Sequence, residues 1–362
     1  MDSTFRMTQI LVNQSSKSKF RKPHTSSPGT LIFVRMPNVK IATFNTMNLA
    51  LPDRDSYPGE RMTPADSEKK AQWTAKLLSE MDADFVGFQE VFHKKALEDV
   101  LARTGLYDRA VVDVADETAN LPRVGFVSRL PVHKVEVIRD FPAETRIDIG
   151  GQFLPFRSFH RPVFKVQVEL PGGKPATILV VHLKSKRPMV DDGHDRRDPW
   201  ELARGQARSL VFRACEAAAL RWIVLQTIRN SEIPLILLGD LNDSTHAVTS
   251  DIIQGDPPQR YYPIDVKKKL WDIVLYSCGD LQIRKSYKDV YYTHLHDSHY
   301  ESLDHIFVSQ EFVNENPRHI AAVEYMRLYN DHLLDPALTD ELPRPWVSDH
   351  GAVVVGLKMR HD

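Results

Sequence analysis

The stretch LILLGDLND, residues 235–243, combines a short apolar run with polar residues directly after it. Leu235–Leu238 is uniformly apolar and ends at a glycine, a pattern typical of a fully buried strand. Asp240 and Asn242 follow that strand. Strand ends are rigid, so polar side chains there are well placed for chemistry. Taken alone, however, a simple Gly-Asp turn explains the same residues.

Five other short apolar segments also have polar residues of hydrolytic type at one end. They are Ile41–Phe44 before Asn45, Phe85–Gln89 before Glu90, Ile178–Val181 before His182, Ile306–Val308 after Asp304, and Val353–Val355 after Asp349 and His350. Strand ends that converge at one sheet edge can build a binding site. One such pattern is common, but six together are hard to explain as solvated turns.

Helical patterns alternate with these strands. Apolar spacing predicts a helix over Ser67–Met81, capped by Asp66 or Ser67, and a helix over Lys94–Thr104 that Gly105 ends. A third helix is predicted over Trp200–Arg229. Residues 251–300 and 314–346 are polar and interrupted by prolines, and they give no clear assignment.

Further strands come in hairpin-like pairs rather than in alternation with helices. They are predicted at Val124–Ser128, Val132–Ile138, Phe164–Leu170 and Thr177–His182, with a turn at 171–174. Alternating and paired strands together indicate mixed sheets with helices outside. We therefore expect one α/β domain over residues 37–362.

The N-terminal stretch 1–36 is predicted to lie outside this domain. Residues 1–40 contain seven Lys or Arg and one acid, a bias shared by targeting segments, disordered tails and misassigned starts. No apolar run approaches the roughly 20 residues that span a bilayer. A cytoplasmic location is the resulting expectation.

Composition excludes several classes of protein. Lys and Arg number 47 against 48 Asp and Glu, so any anionic substrate must be met by a local basic patch. The only cysteines, Cys215 and Cys278, provide neither a disulfide framework nor a cysteine zinc site. We expect two free thiols, mostly buried.

The set of strand-end residues fits the hydrolysis of phosphate esters. That reaction uses a cation to neutralise phosphate oxygens, and Mg²⁺ prefers carboxylate ligands. It also needs a base for the attacking water and donors that hold the phosphate.

In this order, the segments resemble the endonuclease/exonuclease/phosphatase superfamily. The matching strings are IATFNTMNL (41–49), DFVGFQEVF (84–92), GFVSRLPV (125–132), HRPVFKVQV (160–168), VVHLKSK (180–186), ILLGDLND (236–243), LDHIFVS (303–309) and WVSDHGAVVV (346–355). The resemblance implies a four-layer α-β-β-α sandwich of two packed mixed β-sheets with outer helices. It also implies a hydrolase of phosphate esters.

The resemblance assigns a metal site to one group of residues. Glu90 would be the main ligand of Mg²⁺, for which Mn²⁺ would substitute, with Asp349 and Asn45 assisting. Some members carry an acid two residues after the first Asn, where this chain has Met47. One tightly held metal is therefore expected, with Asn48 nearby.

The resemblance assigns catalysis and substrate contact to a second group. Asp240 would align or deprotonate water, Asn242 would steady the phosphate, and His182 would donate to it. His350 would contact the scissile phosphate, with its ring held by Asp304. Predicted substrate contacts are Asn45, Lys184 and His294.

The substrate stays open between three hypotheses. Arg204, Arg208, Arg213 and Arg221 recur along the third helix, as either a basic stripe for nucleic acid or a solvated helix face. A nuclease or phosphodiesterase acting on nucleic acid is favoured. The alternatives are a phosphatase or phosphodiesterase for a small molecule or lipid headgroup, and a non-catalytic binding protein on the same scaffold. No obligate protein partner is indicated.

Overall fold

The computed structural model describes residues 38–52, 54–57, 60–116, 121–229, 233–259, 261–283, 291–296, 299–334 and 344–360. The predicted extension at 1–36 lies outside the described residues. The domain bounds and the cytoplasmic location therefore stay predictions.

The strands of the described part follow one another along the chain as β1 (Val39–Leu49), β2 (Asp55–Tyr57), β3 (Glu60–Arg61), β4 (Phe85–Val91), β5 (Val111–Val114), β6 (Arg123–Ser128), β7 (Val132–Asp140), β8 (Asp148–Ile149), β9 (Gln152–Phe153), β10 (Ser158–Leu170), β11 (Lys174–His182), β12 (Leu235–Asp240), β13 (Tyr276–Ser277), β14 (His294–His296), β15 (His299–Glu301), β16 (Asp304–Val308), β17 (Ala321–Tyr329) and β18 (Ala352–Met359).

Helices connect these strands. The α-helices of the described part are α1 (Pro64–Met81), α2 (Lys94–Thr104), α3 (Pro199–Ile228), α4 (Val248–Gln254), α5 (Ile264–Trp271) and α6 (Cys278–Ile283), and short 3-10 helices lie at Ala143–Thr145 and Gln310–Phe312.

Two six-stranded sheets form the centre of the fold. The first has the order β17-β18-β1-β4-β6-β5, and the second has the order β13-β16-β12-β11-β10-β7. Each sheet contains one parallel pair, β1 with β4 and β11 with β12, and its other pairs are antiparallel. The prediction of mixed sheets is confirmed.

Apolar side chains divide the fold into four layers. One core, which includes Phe85, Phe164 and Leu238, lies between the two sheets. A second core joins α1 and α2 to the outer face of the first sheet. A third joins α3 to the outer face of the second sheet. The predicted α-β-β-α sandwich is therefore confirmed.

Gly87 lets the two sheets approach closely. A Cβ atom at this position would lie 2.3 Å from Cδ1 of Leu238 and 2.9 Å from Cγ1 of Val180, both on the opposite sheet. No other residue fits without displacing this buried layer, because protein cores pack at nearly crystalline density.

The helix predictions are confirmed except for one cap. Helix α2 runs from Lys94 to Thr104 and ends at Gly105, whose φ is 64°. Helix α1 begins at Pro64, and its cap is Thr63, whose hydroxyl accepts from the backbone N of Asp66. The predicted cap at Asp66 or Ser67 is wrong, because proline is well accommodated in the first helical turn and the helix starts earlier.

The regions without an assignment contain short elements. Helices α5 and α6 and strands β13 and β14 lie within 251–300, helix α4 and strand β15 overlap its two ends, and β17 lies within 314–346. Strand β17 is the edge of the first sheet and is only partly buried, so it lacks the continuous apolar run of a central strand.

Two smaller points complete the fold. Cys215 and Cys278 are both free and buried, as predicted. The helices of the described chain include none with the length and apolarity to span a membrane.

Candidate active site

Three predicted residues form a row across the end of the second sheet. Parallel pairing places His182 beside Asp240, and antiparallel pairing places Asp240 beside Asp304. His182 Nε2 lies 3.3 Å from Asp240 Oδ2. The sheet register alone therefore brings together residues that lie more than 120 positions apart in the sequence.

Asn45 connects this row to the first sheet. It stands near the end of β1, and its Nδ2 donates to Asp240 Oδ2 at 3.1 Å. Ser348 holds the neighbouring backbone, since its hydroxyl donates to the Asn45 carbonyl at 2.8 Å and accepts from the His350 backbone N at 3.0 Å. The sequence did not reveal this role of Ser348, because a serine before Asp-His carries no local signal of it.

His350 and Asp304 form a buried charged pair. His350 Nδ1 lies 2.7 Å from Asp304 Oδ2. Burial opposes a charged imidazole, but the carboxylates of Asp304, Asp240 and Asp349 outweigh it and raise the pKa of His350 well above its usual value. The backbone N of Asp304 is held in turn by the hydroxyl of Thr293 at 3.1 Å. The predicted orientation of His350 by Asp304 is thus present.

Burial raises the pKa of Asp240 and lowers that of His182. Burial, together with the nearby charge of Asp304, raises the pKa of Asp240 to about 7. Burial and the charge of Arg161 lower the pKa of His182 well below its usual value, so its ring is neutral. A carboxylate with a pKa near neutrality is suited to accept a proton from water.

Glu90 lies on a strained backbone next to this cluster. The residues Met47, Asn48 and Glu90 have φ values of 49°, 61° and 60°, where non-glycine residues are uncommon. The pairing of β1 with β4 is irregular between Asn45 and Leu49. The irregularity allows the backbone N of Asn48 to donate to Glu90 Oε2 at 3.1 Å.

The donor set beside Glu90 fits a hard divalent cation. Burial raises the pKa of Glu90, so its charged form needs a positive partner. Asp349 supplies a half-exposed carboxylate whose charge acts on Glu90. Asn48 Oδ1 is buried and has no hydrogen-bond partner among the described residues. Oxygen donors of this kind are those that Mg²⁺ and Mn²⁺ accept.

Asn45 contributes donors rather than a free oxygen. Its Nδ2 faces Asp240, its amide also hydrogen-bonds Glu90, and its Oδ1 accepts from the backbone N of Met47 at 3.0 Å. Its predicted role as a metal ligand is therefore less well supported by the geometry than its role in orienting the two carboxylates.

Ligand-type atoms of Asp240, Asp304 and His350 also lie within 4.8 Å of one another. A protonated imidazole repels a cation, so this trio is better described as an ion-paired cluster than as a metal site. A second group of ligand-type atoms, on His294, Asp349 and His350, includes the same imidazole of His350.

His294 and Lys184, two of the predicted substrate contacts, lie in different surroundings. The ring of His294 lies 4.8 Å from that of His350, so it borders the cluster. The ammonium of Lys184 instead donates to the carbonyls of Ser185 and Arg187, at 3.0 and 3.1 Å. The contact of Lys184 with substrate stays a prediction, and in this structure the following loop folds back and binds its ammonium.

Asn242 stands at the edge of the cluster. Its backbone N donates to Asp240 Oδ1 at 2.8 Å, and its Nδ2 donates to the Leu183 carbonyl at 3.0 Å. Asn242 thus holds the Asp240 carboxylate and the chain that follows His182.

Arg161 is a site residue that the sequence pattern did not single out. It is buried on β10 and donates to the Leu183 carbonyl at 3.2 Å, while its Nε has no partner in the part of the chain described. Its charge acts on both Glu90 and His182. The string HRPVF around it indicated a strand and nothing about the charge.

Glu216 on α3 fixes the two strands that carry Arg161 and His182. Its side chain is fully buried and accepts from the backbone N of His160 at 2.8 Å and of Lys184 at 2.7 Å. Burial raises the pKa of Glu216 to about 7, although both N–H groups favour its charged form.

The four arginines of α3 do not share one environment. Arg213 is buried and donates to the Lys184 carbonyl, and Arg221 donates to the carbonyls of Ile253 and Gln254. Arg204 pairs with Glu201, and Arg208 pairs with Asp191. Both interpretations fail for Arg213 and Arg221, which bond to the segment after β11 and to helix α4, whereas the side chains of Arg204 and Arg208 stay partly exposed.

The two mixed sheets and the polar cluster at their edge define the deoxyribonuclease-I-like class. The profile described as the Endonuclease/Exonuclease/phosphatase family matches residues 42–350. The chain therefore belongs to this family, whose members act on phosphoester bonds. A search of curated protein sequences gave no match.

Solved structures share the fold at low sequence identity. The human Nocturnin catalytic domain with bound sulfate is 16% identical with a TM-score of 0.52, over 89% of this chain and 95% of that one. An endonuclease/exonuclease/phosphatase from Bacteroides vulgatus is 14% identical with a TM-score of 0.52, over 90% and 100%. D. rerio TDP2 complexed with single strand DNA product is 13% identical with a TM-score of 0.50, over 89% and 99%.

Proposed function

We propose that this protein is a divalent-metal-dependent hydrolase that cleaves phosphodiester bonds of nucleic acid. The observation that carries the proposal is the meeting of two buried pairs, His182 with Asp240 and Asp304 with His350, beside Glu90. They combine a carboxylate of near-neutral pKa, a charged imidazole and a buried carboxylate whose pKa is raised. A non-catalytic scaffold would have no need to keep these costly groups buried together.

Glu90 and Asp349, with Asn48 Oδ1 nearby, would hold the metal. When bound, Mg²⁺ or Mn²⁺ would neutralise phosphate oxygens and stabilise the leaving group. One metal is proposed, since Met47 provides no further acid.

The chain's own residues would then perform the proton transfer and bind the phosphate. Asp240, held by Asn45 and Asn242, would accept the proton of the attacking water. The charged ring of His350, fixed by Asp304, would donate to the phosphate as negative charge develops on it. Arg161 would supply a further buried cation, because its Nε makes no hydrogen bond with the described residues and is available as a donor.

The substrate class is supported by a structural neighbour, since D. rerio TDP2 is seen with a single strand DNA product. A strand of nucleic acid offers the diester that such a site would cleave. Phosphate esters of small molecules and lipid headgroups are the competing substrates.

The experiment is a metal-by-substrate screen of the purified protein. Single- and double-stranded DNA and RNA, small phosphate mono- and diesters and a lipid headgroup ester would each be tested with Mg²⁺, Mn²⁺ and excess chelator. We expect metal-dependent cleavage of nucleic acid, lost in His350→Ala and Asp240→Asn by roughly 100-fold or more. His133→Ala, which alters an exposed histidine, is the matched control.

Cleavage of a small or lipid ester in place of nucleic acid would replace the proposed substrate. Activity that survives both chelator and His350→Ala would remove the proposed chemistry altogether.

A further inference from the structure

Lys70 is a buried cation that has no hydrogen-bond partner among the residues that the structure describes. The side chain lies on the inner face of α1, with 2% of the residue exposed to solvent. Within the described ranges its Nζ makes no hydrogen bond. Lysines are almost never fully buried unless they are paired, because an isolated ammonium is costly to remove from water. An unpartnered buried ammonium therefore points to a charge partner nearby.

Helix α1 places Lys70 against the segment that carries Asp349. The neighbouring Lys69 stacks its ammonium 4.2 Å from the centre of the Trp346 ring. Trp73, one turn further along, packs edge-on against His332 at 4.9 Å, and His332 Nε2 lies 2.9 Å from the His350 carbonyl oxygen. Lys70 lies between these two contacts on the helix.

The charges that act on Lys70 are those of the proposed metal ligands. Burial lowers the pKa of Lys70 to about 8, and the carboxylates of Asp349 and Glu90 oppose this effect. The side chain therefore still carries a positive charge at neutral pH. Glu90 and Asp349 repel each other, as the raising effect of Asp349 on the pKa of Glu90 shows.

We propose that Lys70 is a built-in counter-cation of Glu90 and Asp349, which holds the two carboxylates in place without metal and weakens metal binding by repulsion. The inference rests on the proposed metal site at these carboxylates. Lys70 is a positioning residue in this description, since it acts through the ligands and not on substrate. An ammonium beside a divalent ion in a low-dielectric site repels it strongly, whereas exposed lysines are screened.

The test measures metal affinity directly, without turnover. Mn²⁺ would be titrated calorimetrically into metal-free wild type, Lys70→Met and Lys70→Arg. Methionine has a similar length and packs in the same apolar space. Lys70→Met should bind Mn²⁺ about tenfold more tightly than wild type, and Lys70→Arg, which keeps the charge, should stay within about twofold.

Lys76→Met is the matched control. It removes the same charge from the same helix, but the Lys76 side chain is 78% exposed. Its Mn²⁺ affinity should equal that of wild type. Lys70→Gln would take the place of Lys70→Met if the latter fails to fold, with the same expected change.

A second readout is thermal unfolding. Loss of Lys70 leaves the metal-free carboxylates without their counter-charge, so Mn²⁺ should raise the Tm of Lys70→Met more than that of wild type. Equal or weaker Mn²⁺ binding by Lys70→Met would overturn the counter-cation role while the metal site stands. A wild-type protein that binds no Mn²⁺ would instead overturn the metal site itself, and the role of Lys70 with it.

Discussion

His350 Nδ1 lies 2.7 Å from Asp304 Oδ2, and this contact joins the two sheets at their functional edge. Asp304 begins β16 of the second sheet, and His350 stands just before β18 of the first. The hydrogen bond from Asn45 to Asp240 makes a second link between the sheets. The packing of the two sheets therefore assembles the site. The loss of either hydrogen bond should reduce catalytic activity.

Replacing Asp304 should lower turnover far more than substrate affinity. Asp304→Ala removes the group that orients the ring of His350 and favours its charge, while the pocket itself is left in place. We expect kcat to fall by roughly 100-fold or more with KM nearly unchanged. Steady-state kinetics on the best substrate of the screen would measure both constants. Asp148→Asn, at an exposed carboxylate, serves as the control. A large rise in KM at constant kcat would contradict the prediction.

Glu216 should make stability depend on pH. The pKa of Glu216 in the folded protein is raised from its ordinary value of 4.5 to about 7, mainly by burial. The protonated side chain therefore contributes fully to folding stability below pH 4.5, and this contribution is lost as the pH rises through about 7. Relative to Glu216→Gln, the wild-type free energy of unfolding should fall by about 3 kcal/mol over that range. Urea unfolding at a series of pH values measures the difference. The surface variant Glu136→Gln should give a curve parallel to wild type, and a difference that stays flat for Glu216→Gln would refute the argument.

Filling the space at Gly87 should destabilise the contact between the sheets. A Cβ atom there would meet Leu238 and Val180, which are fully buried and have little room to move. Gly87→Ala should lower the free energy of unfolding by about 1–3 kcal/mol. Gly279→Ala is the control, since the nearest atom to its added Cβ is 3.4 Å away. Denaturant melts of the two variants would show whether only the first loses stability.

The start of α1 offers a test of the corrected cap. Thr63 Oγ1 accepts from the backbone N of Asp66 at 3.1 Å. Thr63→Ala should therefore cost about 1 kcal/mol of stability. Ser67→Ala, at the position that the sequence pattern suggested, should have almost no effect. Thermal melts in which Ser67→Ala loses more stability than Thr63→Ala would instead identify Ser67 as the cap.

Much of the site was visible in the sequence because its residues stand at the ends of short apolar strands. Asn45, Glu90, His182, Asp240, Asp304 and His350 were each selected in this way, and the structure places them together. The ends of neighbouring strands lie side by side at one edge of a sheet, independently of the conformation of the loops. Local sequence patterns that locate the strands therefore also locate the residues at their ends.

Other members of the site carried no local signal. Arg161 and Lys70 lie inside ordinary strand and helix patterns, and only the structure shows that both are buried and that Arg161 Nε and Lys70 Nζ make no hydrogen bond with any described residue. The direction of the Lys184 ammonium depends on a loop that folds over it. Arg213 and Arg221 looked like surface residues because helical spacing does not show what packs against each face.

The sequence by itself determined the alternation of strands and helices and the identity of the polar residues at the strand ends, since both follow from the spacing of apolar residues along the chain. Only the tertiary structure decided which nitrogen faces which carboxylate, which charges are buried and where their partners lie. Those properties depend on distances between segments far apart in sequence, and only the packing of the two sheets and their outer helices sets these distances.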